Sequence, residues 1–319
     1  MNLLEELKSH LDIEFSRSED GKLNEMRGVV NGVDQAVNVI MGKASRVVDR
    51  AFSKMNPFKR AKKSFTIDMS GVDIFFDKCI VTVKVSKNEN EDPTYKGGFT
   101  PSKSLSVKDG KTVIVPFITA KVQTGSAFHA KDLLKSIFAH ELTHAYNSYQ
   151  YAVKNNKTPE EVETNAFTDQ RYKIISNARD SKNESTNEQQ VGYLNYVLNR
   201  MERNAIIAQL QQELYEVRYF ITDSKTAMEA IRLTESWKKF AWLEENVGLI
   251  VNAPVEETHL RTTVMDQTNK IMGTNFKKFS DVQRYYATRW RIFRKKYLTA
   301  ASKIAYDVYQ NRLKTQNQQ

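Results

Sequence analysis

The chain has 319 residues, 40% of them hydrophobic, enough for one large domain or two modest ones with a real core. A single cysteine, Cys79, excludes an internal disulfide framework, and no run of about 18 uninterrupted apolar residues is present to form a membrane-spanning helix. The net charge of +10 admits nucleic acid, anionic lipid or acidic protein as partners without choosing among them.

The N-terminal stretch MNLLEELKSHLDIEF carries acids early and lacks the basic-then-apolar layout of a secretory signal, so no signal peptide is expected. Residues 1–62 read as a helical segment. The run from Glu19 to Met55 has few breakers, and Val29, Val33, Val37 and Ile40 recur at helical spacing. Lys59, Arg60, Lys62 and Lys63 cluster beside Pro57 and read as a linker.

Residues 64–122 change character. SFTIDMS (64–70), DIFFDKCIVTVKV (73–85) and KTVIVPFITAKV (111–122) are rich in β-branched and aromatic residues and predict three strands. The intervening NENEDPTYKGGFTPSKSLSVKDG (88–110), with its Pro, Gly, Asn and Asp, predicts turns and a long loop. From residue 130 the pattern is almost wholly helical, with helices expected at 130–153, 158–178, 187–221, 224–247 and 280–314. The polar stretch 178–190 reads as a loop. The expected class is α+β, a small mixed sheet packed on a helix and followed by a largely helical C-terminal half. The expected divisions are 1–62, 64–221 and 222–319.

Chemistry concentrates in KDLLKSIFAHELTHAYNSYQ (131–150), which contains His-Glu-x-x-His. Residues four apart on a helix stand one turn above each other, so His140 and His144 project from one side and can share a Zn2+ ion. Glu141, rotated by about 100° from His140, can lie beside the metal without binding it and serve as general base. Leu134, Phe138, Leu142, Ala145 and Tyr149 form the core stripe; Ile137, His140 and His144 occupy a neighbouring face, with Glu141 between the two.

Catalytic zinc usually takes three protein ligands. His10, His129 and His259 are poorly placed for a helix-borne third ligand, which leaves a downstream glutamate. Glu163 in VETNAF and Glu202 in MERNAI follow His144 by 19 and 58 residues. Each opens a Glu-x-Asn-Ala segment with an apolar residue four on, Phe167 or Ile206, so either can face inward. Glu161 has Thr164 and Asn165 on its face and reads as solvated.

The segment from His140 to Tyr146, HELTHAY, resembles the gluzincin branch of zinc peptidases, whose third ligand is a glutamate on a later helix. Together with YLNYVLNRMERNAIIAQLQQEL (193–214), it is similar to metallopeptidases of tailed phages of Bacteroidetes, including crAss-like phages. The resemblance covers roughly residues 64–220. It implies a zincin-like fold, with Glu202 as third ligand; thermolysin-like spacing would favour Glu163 instead. It also implies a strand, placed at KTVIVPFITAKV, that pairs with an extended peptide substrate.

The implied activity is zinc-dependent peptide hydrolysis by Glu141-assisted attack of zinc-bound water on virion or host proteins, in the host cytoplasm or the virion. A contrasting expectation is a virion structural or DNA-associated protein that retains the fold. Its motive is the C-terminal segment 276–314, which interleaves Arg and Lys with Tyr, Trp and Phe and could contact nucleic acid weakly. The same pattern also suits an amphipathic helix with a solvated basic face. Tyr146, Tyr193 and Tyr196 are available near the motif, with aromatic packing as their expected role.

Overall fold

The computed structural model describes residues 2–16, 27–56, 58–72, 74, 76–88, 93–101, 106–108, 111–113, 115–155, 186–254 and 258–316. They form an α+β structure with a small mixed sheet and mostly helical content. The chain divides into two compact units, one of Glu19–Glu163 and one of Met1–Ser18 with Thr164–Gln319.

The first unit opens with helix α2 (Arg27–Phe52); α1 (Leu3–Ser16) belongs to the other unit. Val33, Ala36, Val37, Ile40, Met41, Ala44, Val47, Val48 and Ala51 recur every three or four residues and are all buried. The helix ends where Asn56 Nδ2 donates to the carbonyls of Arg50 (3.0 Å) and Arg60 (2.8 Å), satisfying a terminal acceptor and tying it to the next strand. Lys59 takes a left-handed backbone (φ 48°), the one such non-glycine residue among those described. The basic cluster is therefore not a linker: after this turn, Arg60, Lys62 and Lys63 are already rungs of the first strand.

That strand, β1 (Arg60–Asp68), lies at one edge of a four-stranded sheet ordered β1-β2-β6-β3, with β2 at Lys78–Lys87, β3 at Thr94–Pro101 and β6 at Pro116–Thr124. β2 runs antiparallel to β1 and parallel to β6, and β3 runs antiparallel to β6. Short strands β4 (Ser106–Lys108) and β5 (Lys111–Val113) pair separately. Two expectations need correction. The segment read as a long loop contains β3, whose glycine pair weakens the local strand signal while pairing with β6 supplies the missing stabilisation. KTVIVPFITAKV is not one strand with a free edge, because it divides into β5 and β6, and β6 is hydrogen-bonded on both sides.

Alternation gives the sheet one dry face and one polar face. Ile67, Cys79, Val81, Val83, Val85, Ile118, Ala120 and Val122 are buried in one core with α2 and with Leu133, Leu134, Ile137, Phe138 and Leu142 of helix α3 (Ala127–Asn155). Full burial of each large aliphatic side chain contributes about 1.5–3 kcal/mol, so this one face accounts for most of the sheet's attachment.

The second unit combines α1 (Leu3–Ser16) with α4 (Thr186–Val197), α5 (Arg200–Glu216), a single 3₁₀ turn (Arg218–Phe220), α6 (Ser224–Leu233), α7 (Glu235–Val251), α8 (Thr258–Met272) and α9 (Phe279–Gln316). Two expected helices are each divided. The 187–221 helix breaks at Leu198–Asn199. The 224–247 helix breaks at Thr234, whose hydroxyl accepts from Trp237 N (3.1 Å) and starts a new helix, because β-hydroxyl side chains satisfy first-turn donors. The helix α8 lies in a stretch for which none was expected. The helix expected at 158–178 lies outside the described residues.

The core of this unit is aromatic. Phe240 stacks on Tyr297 at 4.1 Å between centroids, and Trp290 and Phe293 close around it. Asn195 Nδ2 donates to Tyr286 Oη (2.8 Å), which also meets Thr268 Oγ1 (3.0 Å), so these buried polar groups are satisfied. Arg294 holds Glu6 of α1 at 2.9 Å and Glu244 of α7 at 3.5 Å. The buried Glu213 carboxyl accepts from Gln209 Nε2 (2.8 Å) and Ser236 N (3.1 Å); burial nonetheless pushes its pKa up. Among the described residues, no helix is long and apolar enough to cross a membrane.

Candidate metal centre

Helix α3 begins immediately after Ser126, whose carbonyl accepts from Ala130 N (2.9 Å), three residues earlier than the sequence pattern indicates. Its core stripe is fully buried, with Leu134, Phe138 and Leu142 in the core shared with the sheet and Ala145 buried beyond them. That packing fixes the rotation of the helix and hence the direction of the adjoining face. Ile137, Glu141 and His144 on that face are also buried, at 4%, 7% and 3% exposure, and His140 is half-buried. Thr143, between the histidines, returns its hydroxyl to Ala139 O (2.8 Å) and so leaves no unsatisfied donor.

One helical turn brings His140 Nε2 and His144 Nε2 to 3.1 Å. The rings meet nearly edge to face, with centroids 4.8 Å apart and planes at 81°. Glu202 occupies the first turn of α5, where the helix N-terminus favours an anion, and it is 2% exposed. The neighbours Ala205 and Ile206 are buried, as the inward-facing pattern requires. His140, His144 and Glu202 each offer one ligand atom, and these atoms all lie within 4.8 Å of one another. This buried His-His-Glu group can hold a metal ion. The donor set of two imidazoles and one carboxylate suits a divalent cation of intermediate softness.

The other candidates fall elsewhere. Glu163, Glu161 and Phe167 lie outside the described residues. His129 is exposed, with Nδ1 3.5 Å from Thr124 Oγ1. Tyr193 stacks on Tyr196 at 6.3 Å and packs edge-on against Trp242 at 5.0 Å, an aromatic packing role. Cys79 is fully buried in the sheet core, and burial pushes its thiol up to about 12, so it remains protonated and supplies neither a thiolate ligand nor a nucleophile.

Gly97 on β3 was not singled out in the sequence, and it bears directly on Glu141. A Cβ at this position would collide with Glu141 Oε1, and would stand 2.8 Å from Ile137 Cγ2 and 3.1 Å from Glu141 Cδ. The missing side chain is thus what admits the carboxylate against the strand. A glycine inside a strand often marks such an approach, but the signal was masked because the segment reads as loop.

Gly97→Ala is expected to cost about 1–3 kcal/mol in chemical denaturation, the usual range for overpacking. In a Glu141→Ala background that cost should shrink by more than about 0.5 kcal/mol. An unchanged cost would assign the collision to Ile137 and the strand rather than to the carboxylate.

No protein-family model matches the chain, and comparisons with curated proteins and with solved structures returned no match.

Proposed function

We propose that the chain is a zinc-dependent peptidase of zincin-like fold, with His140, His144 and Glu202 as ligands and Glu141 as general base. The observation that supports it is the convergence of the two imidazoles and the Glu202 carboxylate, with a second, non-ligating carboxylate, that of Glu141, on the same helix as the histidines. His140 Nε2 and His144 Nε2, 3.1 Å apart, and the Glu202 carboxylate would together hold the ion.

Zinc, when bound, supplies a Lewis acid that polarises a carbonyl and lowers the pKa of water toward neutrality. The remaining steps belong to the chain. Glu141 accepts the proton of the attacking water and returns it to the departing amine, within a wall formed by Ile137 and Gly97. Among the described residues β3 is an outer strand of the sheet, so an extended peptide can add beside it by backbone hydrogen bonds and place a scissile carbonyl near Glu141. The substrate class is therefore polypeptide in extended form, and virion or host proteins are the candidates that the resemblance to phage peptidases suggests.

The test is elemental analysis of the purified chain together with a proteome-wide cleavage assay. About one zinc per chain, and cleavage abolished by a chelator and restored by zinc, are expected. A chain that takes up no metal when zinc is supplied would end this reading.

A further inference from the structure

The polar face of the sheet carries a feature that the metal centre does not use. Lys62 pairs with Lys84, Lys84 with Lys121 and Lys121 with Lys96 in the strand register. Directly paired residues project to the same face, so one row crossing all four strands consists of lysine alone. All four are exposed. At the usual spacing between strands the row is roughly 14 Å long. Arg60, two residues before Lys62 on the same face, is exposed and extends it.

This arrangement opposes the stability of the sheet, because like charges placed directly opposite repel. Lysines at sheet edges are a common guard against strand addition, which accounts for Lys62 and Lys96. Lys84 and Lys121 lie on interior strands, where no edge needs guarding. The far end of the same face shows the ordinary solution: Asp68 pairs with Lys78, and its carboxyl is held low by hydrogen bonds from Ser70 and then by Lys78. Among the described residues, the lysine row has no such acid within ion-pair distance.

We infer that this row is a binding surface for the phosphate backbone of nucleic acid. A line of ammonium groups neutralises a line of phosphates without reading bases. The flanking row on the same face, Ser64, Thr82 and Thr119, adds hydroxyl groups beside the lysines. Ser64 and Thr82 already share a 2.8 Å hydrogen bond, which confirms their common face. A membrane surface is disfavoured because neither of these rows offers an apolar side chain for insertion. A protein partner is disfavoured because the two rows hold no aromatic side chain and, Arg60 at the end of the first aside, no arginine, the anchors that dominate protein interfaces. The surface lies on the side of the sheet opposite Gly97 and Glu141, and its assignment does not depend on the peptidase reading.

The experiment is fluorescence anisotropy of the full chain with a 30-base-pair duplex of arbitrary sequence, across a salt series. Four phosphate contacts predict a slope of log K against log salt near −3.6, or about 150-fold weaker binding at 200 mM than at 50 mM salt. Lys84→Gln with Lys121→Gln should flatten the slope by about 1.8. In the absence of DNA this variant should melt at or above the wild-type temperature, since it removes a repulsion. If it melts lower, the edge pair Lys62→Gln with Lys96→Gln provides the same reading.

Arg291→Gln with Lys295→Gln on α9 should leave the slope unchanged. Absence of binding at 50 mM salt would overturn the proposal. So would an unchanged slope in the lysine variants, a loss confined to the α9 variant, or equal binding of poly-glutamate at matched charge.

Discussion

Glu141→Gln should abolish peptide hydrolysis while leaving the metal content unchanged. The amide is close in size to the carboxylate, so it can occupy the space beside Gly97 and Ile137. It cannot take a proton from water. A positioned general acid–base group contributes about 10²–10⁴ in rate, equivalent to about 2.7–5.5 kcal/mol of transition-state stabilisation. The loss should appear in kcat with little change in KM, because Glu141 acts on the transferring proton rather than on substrate binding. The measurement pairs turnover of a peptide identified by proteome-wide cleavage with elemental analysis of the same preparation. Full activity with normal metal would remove Glu141 from the chemistry; loss of metal would instead make it a ligand.

His144→Ala should bring bound metal close to zero, and Glu202→Gln should weaken it. Both residues are buried, at 3% and 2% exposure, and both belong to the three-residue group. A ligand that binds only the folded state stabilises it by about 2.7 kcal/mol at a free concentration 100 times its Kd. Adding zinc should therefore raise the melting temperature of the wild type but not that of His144→Ala. Glu202→Gln retains an oxygen but loses the charge, so its melting temperature should rise only at higher zinc concentration. If Glu202→Gln binds zinc as the wild type does, the carboxylate must come from another residue, and Glu163 becomes the residue to replace.

The parts of the fold that were legible in the sequence are those set by local periodicity. The stripe of Leu134, Phe138, Leu142 and Ala145 marked a helix and its buried face, because a 3.6-residue repeat leaves no other way to bury those side chains together. The β-branched and aromatic residues of 73–85 and 111–122 likewise marked strands, which the structure places at Lys78–Lys87 and, in two pieces, at Lys111–Val113 and Pro116–Thr124. The spacing of His140 and His144 sufficed to place both imidazoles on one side of that helix, since the rise of one turn is a local property.

Other features depend on partners distant in the chain. β3 forms because β6 offers it a backbone ladder, and Gly97 is tolerated because Glu141 fills the space that a side chain would take. Thr234 and the turn at Leu198–Asn199 divide helices that apolar pattern alone would continue, the first through the capping hydroxyl of Thr234. Glu202 reaches the two histidines across 58 residues of chain, a distance over which spacing carries no directional information. The lysine row is also a tertiary fact. Lys84, Lys96 and Lys121 are scattered charges in sequence and Lys62 belongs there to a separate basic cluster, and only strand register sets the four side by side. Sequence by itself determined the helix bearing the histidines and the strands rich in β-branched residues, because these follow from nearest-neighbour geometry. Tertiary structure alone decided the sheet order, the close approach of β3 to Glu141 and the company Glu202 keeps, because each is fixed by burial and pairing between segments far apart in the chain.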